Sequence, residues 1–61
     1  MNIKKVKVEM KKLHMSGYRL SKNSGIPQDF ISKYLSGQRN PKIDKIQKIA
    51  AALNLNWIDL V

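Results

Sequence analysis

The sequence predicts an all-α fold of four to five short helices. Apolar residues recur at intervals of three and four, which is the spacing of one face of a helix. Serine, asparagine, glycine and proline interrupt this pattern at the places where short helices would begin and end. No stretch of the chain is a convincing strand.

The composition excludes several kinds of protein and favours one kind of partner. A chain of 61 residues is one small domain at most, and the absence of cysteine excludes disulfides and cysteine-based zinc sites. Twelve lysines and arginines oppose four carboxylates, and the resulting charge of +8 attracts polyanions, most commonly nucleic acid. The longest apolar run, Ile49–Leu53, is too short for a membrane span or a signal-peptide core. We therefore expect a soluble, intracellular protein.

The first two helices follow from apolar spacing and capping residues. The first helix is predicted from about residue 3 to 14, and Val8 falls outside its apolar stripe. That stripe is Ile3, Val6, Met10 and Leu13. The second helix should begin at Gly17, because Ser16 is a good N-cap, and should end near residue 23 or 24. Gly25 would supply the positive φ that closes it.

The third helix should follow Pro27, which suits a first turn because it has no N–H to lose there. Gly37 should end this helix, and Ile31, Tyr34 and Leu35 should form its inner face. Its outer face would then be a row of hydrogen-bonding groups, namely Gln28, Asp29, Ser32, Lys33 and Ser36.

A fourth helix is predicted from about residue 41 or 42 to 53, after a loop with the turn signal Asn40-Pro41. Asn54 should stop it, and Asn56 should cap a last short turn. The apolar residues expected to face inward on the fourth helix are Ile43, Ile46, Ile49, Ala50 and Leu53. The last short turn carries Trp57, Ile58 and Leu60.

The second and third helices, joined by a glycine-containing turn, predict a helix-turn-helix unit over about residues 16–36. Such a unit needs apolar residues that lock the two helices together, here Leu20, Ile26, Ile31 and Tyr34. A polar outer face on the second helix of such a unit fits the major groove of DNA.

From Met15 to Leu55 the chain resembles the Cro/phage-repressor (XRE-type) helix-turn-helix family. The stretches that carry the resemblance are YRLSKNSGIP, ISKYLSGQRNP and IQKIAAALNL. The resemblance implies a lambda-repressor-like DNA-binding domain over residues 1–61 that acts on double-stranded DNA as a dimeric transcriptional regulator. It also implies a phage or mobile-element origin and a cytoplasmic, nucleoid-associated protein.

The resemblance also assigns roles to individual residues. Base readout falls to the outer face of the third helix, at Gln28, Asp29, Ser32 and Lys33. Contacts to the DNA backbone fall to the start of the second helix and to the loop after the third, at Ser16, Gly17, Ser36, Gln38, Arg39 and Asn40. Charge and position add Arg19 and Lys42 to this set. Lys42 would begin the fourth helix, where the dipole disfavours a cation unless a phosphate docks nearby.

The chain departs from the family's pattern at four places. Gly17 stands where the second helix often begins with glutamine, so that side-chain phosphate contact is missing. Ser21 replaces a usual alanine. Met10 and Leu35 occupy the places of an arginine and a glutamate that often pair, and an apolar contact can replace such a pair without loss of stability.

Several roles stay open on sequence grounds. Asp29 would complement the helix dipole whether or not it also meets a base. Lys33 could meet a phosphate instead of a base, and Phe30 could pack or touch a thymine methyl. Trp57 and Leu60 could belong to the core or form a dimer contact.

Two other functions are compatible with this composition. The same fold serves as a protein-binding module in antitoxin-like or antirepressor partners. A basic amphipathic membrane binder is the third interpretation, and the core spacing in every helix argues against it. An enzyme is not expected, because the chain has one histidine, no metal-ligand spacing and no phosphate loop. We expect no cofactor and no metal.

Overall fold

The computed structural model describes all 61 residues and consists of four α-helices and a C-terminal 3-10 helix, without strands. This confirms the predicted all-α fold, and each helix lies within two residues of its predicted bounds. The elements are α1 (Ile3–Lys12), α2 (Gly17–Ser24), α3 (Gln28–Ser36), α4 (Ile43–Ala52) and the 3-10 helix (Trp57–Leu60).

Side-chain caps fix the beginnings of α1, α2 and the 3-10 helix. Asn2 Oδ1 accepts a hydrogen bond from the Lys5 N–H at 3.0 Å, and Ser16 Oγ accepts one from the Arg19 N–H at 3.2 Å. Asn56 Oδ1 accepts from Ile58 N–H at 3.1 Å, as its predicted capping role requires. Each cap satisfies an N–H that has no partner inside its helix.

All four α-helices are followed by a residue in the left-handed region. Gly25 and Gly37 have φ values of 75° and 80°, and both were predicted as helix terminators. Asn54, at φ 58°, also ends its helix as predicted. The fourth left-handed residue is His14, at φ 52°. The prediction of a helix reaching His14 was wrong, because the chain has already turned there and Met15 N–H bonds to Met10 O at 2.8 Å.

One apolar core joins the elements. α2 packs against both α3 and α4, while α1 packs against α3 and the 3-10 helix. The 3-10 helix also packs against α4. The eleven buried apolar residues are Val6, Met10, Leu20, Ile26, Ile31, Tyr34, Ile46, Ile49, Ala50, Leu53 and Leu60.

Two expected core residues are exposed. Leu13 is 48% exposed and Ile43 is 56% exposed. Leu13 follows the last residue of α1 and Ile43 is the first residue of α4. At these positions the apolar stripe extends past the neighbouring helices. The departures Met10 and Leu35 are both accounted for by packing, since Met10 belongs to the core and Leu35 packs against it.

The C-terminal 3-10 helix corrects the expectation of a dimer contact through Leu60. Leu60 has no exposed surface, so its side chain cannot meet a second copy of the chain. The Asn2 N–H donates a hydrogen bond to the Leu60 carbonyl, which fixes the residue beneath α1 and α4. Trp57 is half-buried against the same core, and Ile58 is 60% exposed.

Candidate nucleic-acid interface

The turn between α2 and α3 sets the angle of the third helix. Gly25 provides the left-handed conformation, and Ile26 anchors the turn because it is fully buried. Two serines of α2 hold the backbone of Ile26 from both sides. The Ser21 hydroxyl donates to the Ile26 carbonyl, and Ser24 Oγ accepts from the Ile26 N–H at 3.3 Å. The sequence did not reveal this role of Ser21, which stands where the family usually has alanine.

The polar row of α3 is presented to solvent. Gln28, Asp29, Ser32 and Lys33 are all exposed, opposite the buried Ile31 and Tyr34. None of the four side chains makes a hydrogen bond or an ion pair within the protein. Their donors and acceptors are therefore available to a ligand.

Asp29 lies in the first turn of α3, which has no side-chain cap. A carboxylate at this place complements the helix dipole, so the structure accommodates that role together with base contact. Phe30 lies on the flank of the helix and packs against the core cluster, which matches the packing alternative.

The start of α2 offers a second polar surface beside α3. A Cβ added to Gly17 would lie 3.9 Å from Ile31 Cγ2, which places the first residue of α2 against the middle of the third helix. The Ser16 hydroxyl oxygen accepts from Arg19 N–H and still has its own proton to donate. The first N–H groups of a helix have no helical partners and favour an anion. Arg19 is exposed nearby and forms no ion pair.

The loop after α3 contains the remaining predicted backbone contacts. Gln38, Arg39, Asn40 and Lys42 are all exposed. Ser36 is exposed too, but its hydroxyl donates to the Lys33 carbonyl at 3.1 Å, so its proton is not available to a phosphate in this arrangement. Ser36 is therefore the weakest of the predicted phosphate contacts.

Three cations near the outer face of α3 and the loop that follows it are free of ion pairs. The three ion pairs use lysines of α1 and α4: Lys5–Glu9 at 3.4 Å, Lys12–Glu9 at 3.5 Å and Lys45–Asp44 at 3.9 Å. Lys33, Arg39 and Lys42 have no acidic partner.

No cluster of three or more histidine, cysteine or carboxylate side chains is placed to hold a metal ion. None of the helices combines the length and the apolar character that crossing a membrane requires.

Comparison with known protein families gave one match that covers nearly the whole chain. The family is described as helix-turn-helix, and its model matches residues 6–60. The match includes α2, the turn, α3 and the loop that follows. Comparison with curated proteins and with solved structures gave no match.

Proposed function

Because this chain belongs to the Cro/XRE-type helix-turn-helix family of DNA-binding regulatory domains, we propose that it is a sequence-specific transcriptional regulator of the Cro or repressor type. In this proposal residues 1–61 act as one DNA-binding domain, and α3 lies in the major groove of duplex DNA. The observation that carries the proposal is that four outward side chains of α3 are exposed and have no partners inside the protein, namely those of Gln28, Asp29, Ser32 and Lys33.

The chemistry of the polar row fits the edges of bases in the major groove. The Gln28 amide can both donate and accept, which matches N6 and N7 of adenine. Lys33 can donate to O6 and N7 of guanine, and Asp29 can accept from N4 of cytosine. The Ser32 hydroxyl can serve either kind of partner. Four adjacent side chains would thus read a short half-site.

The proposed phosphate contacts fix the position of α3 on the duplex. The Ser16 hydroxyl and the Gly17 amide would hold one phosphate at the start of α2, supported by the charge of Arg19. The loop residues Gln38, Arg39, Asn40 and Lys42 would hold the backbone on the other side of the groove. These contacts carry no sequence information but supply much of the affinity.

One copy of the domain would cover only one half-site, so we propose that two copies bind DNA together. Half-sites one helical turn apart would be separated by roughly 34 Å. The half-buried Trp57 and the exposed Ile58 support a dimer contact through the C-terminal 3-10 helix, in place of the buried Leu60.

A selection from a randomised duplex pool at near-physiological salt tests the proposal directly. The expected result is an enriched palindrome, whose two halves give the half-site and the spacing. A single enriched half-site would support readout of DNA by a monomer and contradict the dimer. Binding without enrichment would overturn the proposed function and favour a protein-binding module of the same fold.

A further inference from the structure

A cleft of about 350 Å³ separates the end of α3 from the start of α4. Its lining combines two aromatic rings with three cations, because it includes Phe30, Tyr34, Arg39, Asn40, Lys42, Asp44 and Lys45. Asp44 is the only carboxylate in this lining, and it pairs with Lys45 at 3.9 Å. Arg39 and Lys42 are therefore left as unpaired positive charges at the rim.

The Arg39 guanidinium is held in this cleft by an aromatic ring. Its central carbon lies 5.3 Å from the centre of the Phe30 ring, which is within the range of a cation–π interaction. The Phe30 ring is itself stacked on Tyr34, with 6.3 Å between the ring centres and 29° between their planes. Tyr34 is buried, so the ring that contacts the guanidinium is itself packed on a residue of the core.

The backbone of Arg39 is fixed by the same helix end. The N–H groups of Gln38 and Arg39 both donate to the Lys33 carbonyl, at 3.0 and 3.3 Å. Phe30 lies on the flank of α3, between the buried Tyr34 and the exposed Lys33, because successive helix residues are about 100° apart. The Phe30 ring thus holds the guanidinium of Arg39, a loop residue, next to the outward row of α3.

From this geometry we propose that Phe30 is a positioning residue, which holds the Arg39 guanidinium at the edge of α3 where it meets a phosphate of the DNA. The inference rests on the proposed DNA-binding function and identifies how one of its backbone contacts is organised in advance. Without the ring, the exposed arginine would sample many rotamers and lose that freedom only on binding, which lowers affinity. Phe30 acts through Arg39 and not through a base.

Substitutions of Phe30 alone and together with Arg39→Ala separate this role from simple packing. Phe30→Leu keeps an apolar side chain against the core but removes the ring face, whereas Phe30→Tyr keeps the ring. Each variant is titrated with the duplex enriched in the selection, in the wild-type background and in the Arg39→Ala background.

We expect Phe30→Leu to weaken binding by about two- to fivefold, the effect of an exposed cation–π pair. Phe30→Tyr should bind like the wild type. In the Arg39→Ala background Phe30→Leu should cause no further loss. The side-chain NMR signals of Arg39 should show a ring-current shift in the wild type and in Phe30→Tyr, and should lose it in Phe30→Leu.

An equal loss from Phe30→Leu in both backgrounds would overturn the inference, because a general loosening of α3 does not depend on Arg39. Unchanged binding of Phe30→Leu would overturn it as well. In either case the wild type still binds its enriched duplex, so the proposed function stands. If the wild type enriches no sequence, the proposed function has failed, and the positioning role fails with it.

Discussion

Truncation of Gln28 to alanine tests the recognition face at its first position. The Gln28 side chain is exposed and forms no hydrogen bond or ion pair within the protein. Surface substitutions of this kind change stability by no more than about 0.5 kcal/mol. Any larger change in DNA affinity would therefore arise at the DNA and not from unfolding.

The expected magnitude follows from the two hydrogen bonds that the amide can make to one adenine. A bidentate contact discriminates against the wrong base by about 1–3 kcal/mol, which is about 5- to 150-fold in affinity. The assay is fluorescence anisotropy with the enriched duplex and with duplexes in which one base pair at a time is changed. Gln28→Ala should lose the wild-type preference at a single base pair and retain it at the others.

Gln47→Ala is the matched control, because Gln47 is also exposed but lies on α4. It should leave both affinity and base preference unchanged. Uniform weakening of Gln28→Ala across all duplexes would show that Gln28 contacts the backbone, and this would refute its assignment to base readout.

Three further predictions concern the phosphate contacts and the helix ends. If about six phosphates are contacted, the logarithm of affinity should fall with that of salt with a slope of about −5, and a titration flat in salt would contradict this. His14→Gly should raise stability to urea by about 0.5–1 kcal/mol, because glycine removes the strain at φ 52°. The control Lys7→Gly, at an exposed and unpaired position inside α1, should lower it by about 1 kcal/mol. A lower urea midpoint for His14→Gly would refute the strain. Ser21→Ala should cost about 1 kcal/mol in the same measurement, since the Ile26 carbonyl loses the hydroxyl that bonds to it, and an unchanged midpoint would show that water replaces the bond.

The helices could be predicted because each boundary depends on a local signal. Gly25 and Gly37 adopt positive φ, which few other residues tolerate, so both helix ends were visible in the sequence. His14 adopts the same conformation, but histidine gives no such signal. Periodicity identified the inward faces but not where neighbouring helices stop, which is why Ile43 was misplaced. An apolar residue such as Leu60 has the same pattern whether it fills a core or an interface.

The candidate site likewise has one part that the sequence predicts and one part that it does not. Helical spacing alone predicts the outward row of α3, because this row lies opposite the buried Ile31 and Tyr34. The stack of Arg39 on Phe30 joins a loop to a helix, and its geometry depends on the path of the chain after Gly37. The hydroxyl proton of Ser36 is directed to a carbonyl by the same local path. Such contacts between a loop and a helix have no periodic signature.

The buried position of Leu60 has a consequence for the order in which the helices can pack during synthesis. Synthesis proceeds from the N-terminus, so α1 emerges before the other elements, yet it packs against the 3-10 helix at residues 57–60 as well as against α3. Val6 of α1 is fully buried in the finished fold, in a core that also includes Leu60, so this core is complete only after the 3-10 helix has emerged. The contacts of α2 with α3 and with α4 lie between residues 17 and 52, so they can form before the 3-10 helix emerges and packs against α1 and α4. The surface that would meet DNA can thus form before the 3-10 helix has completed the core.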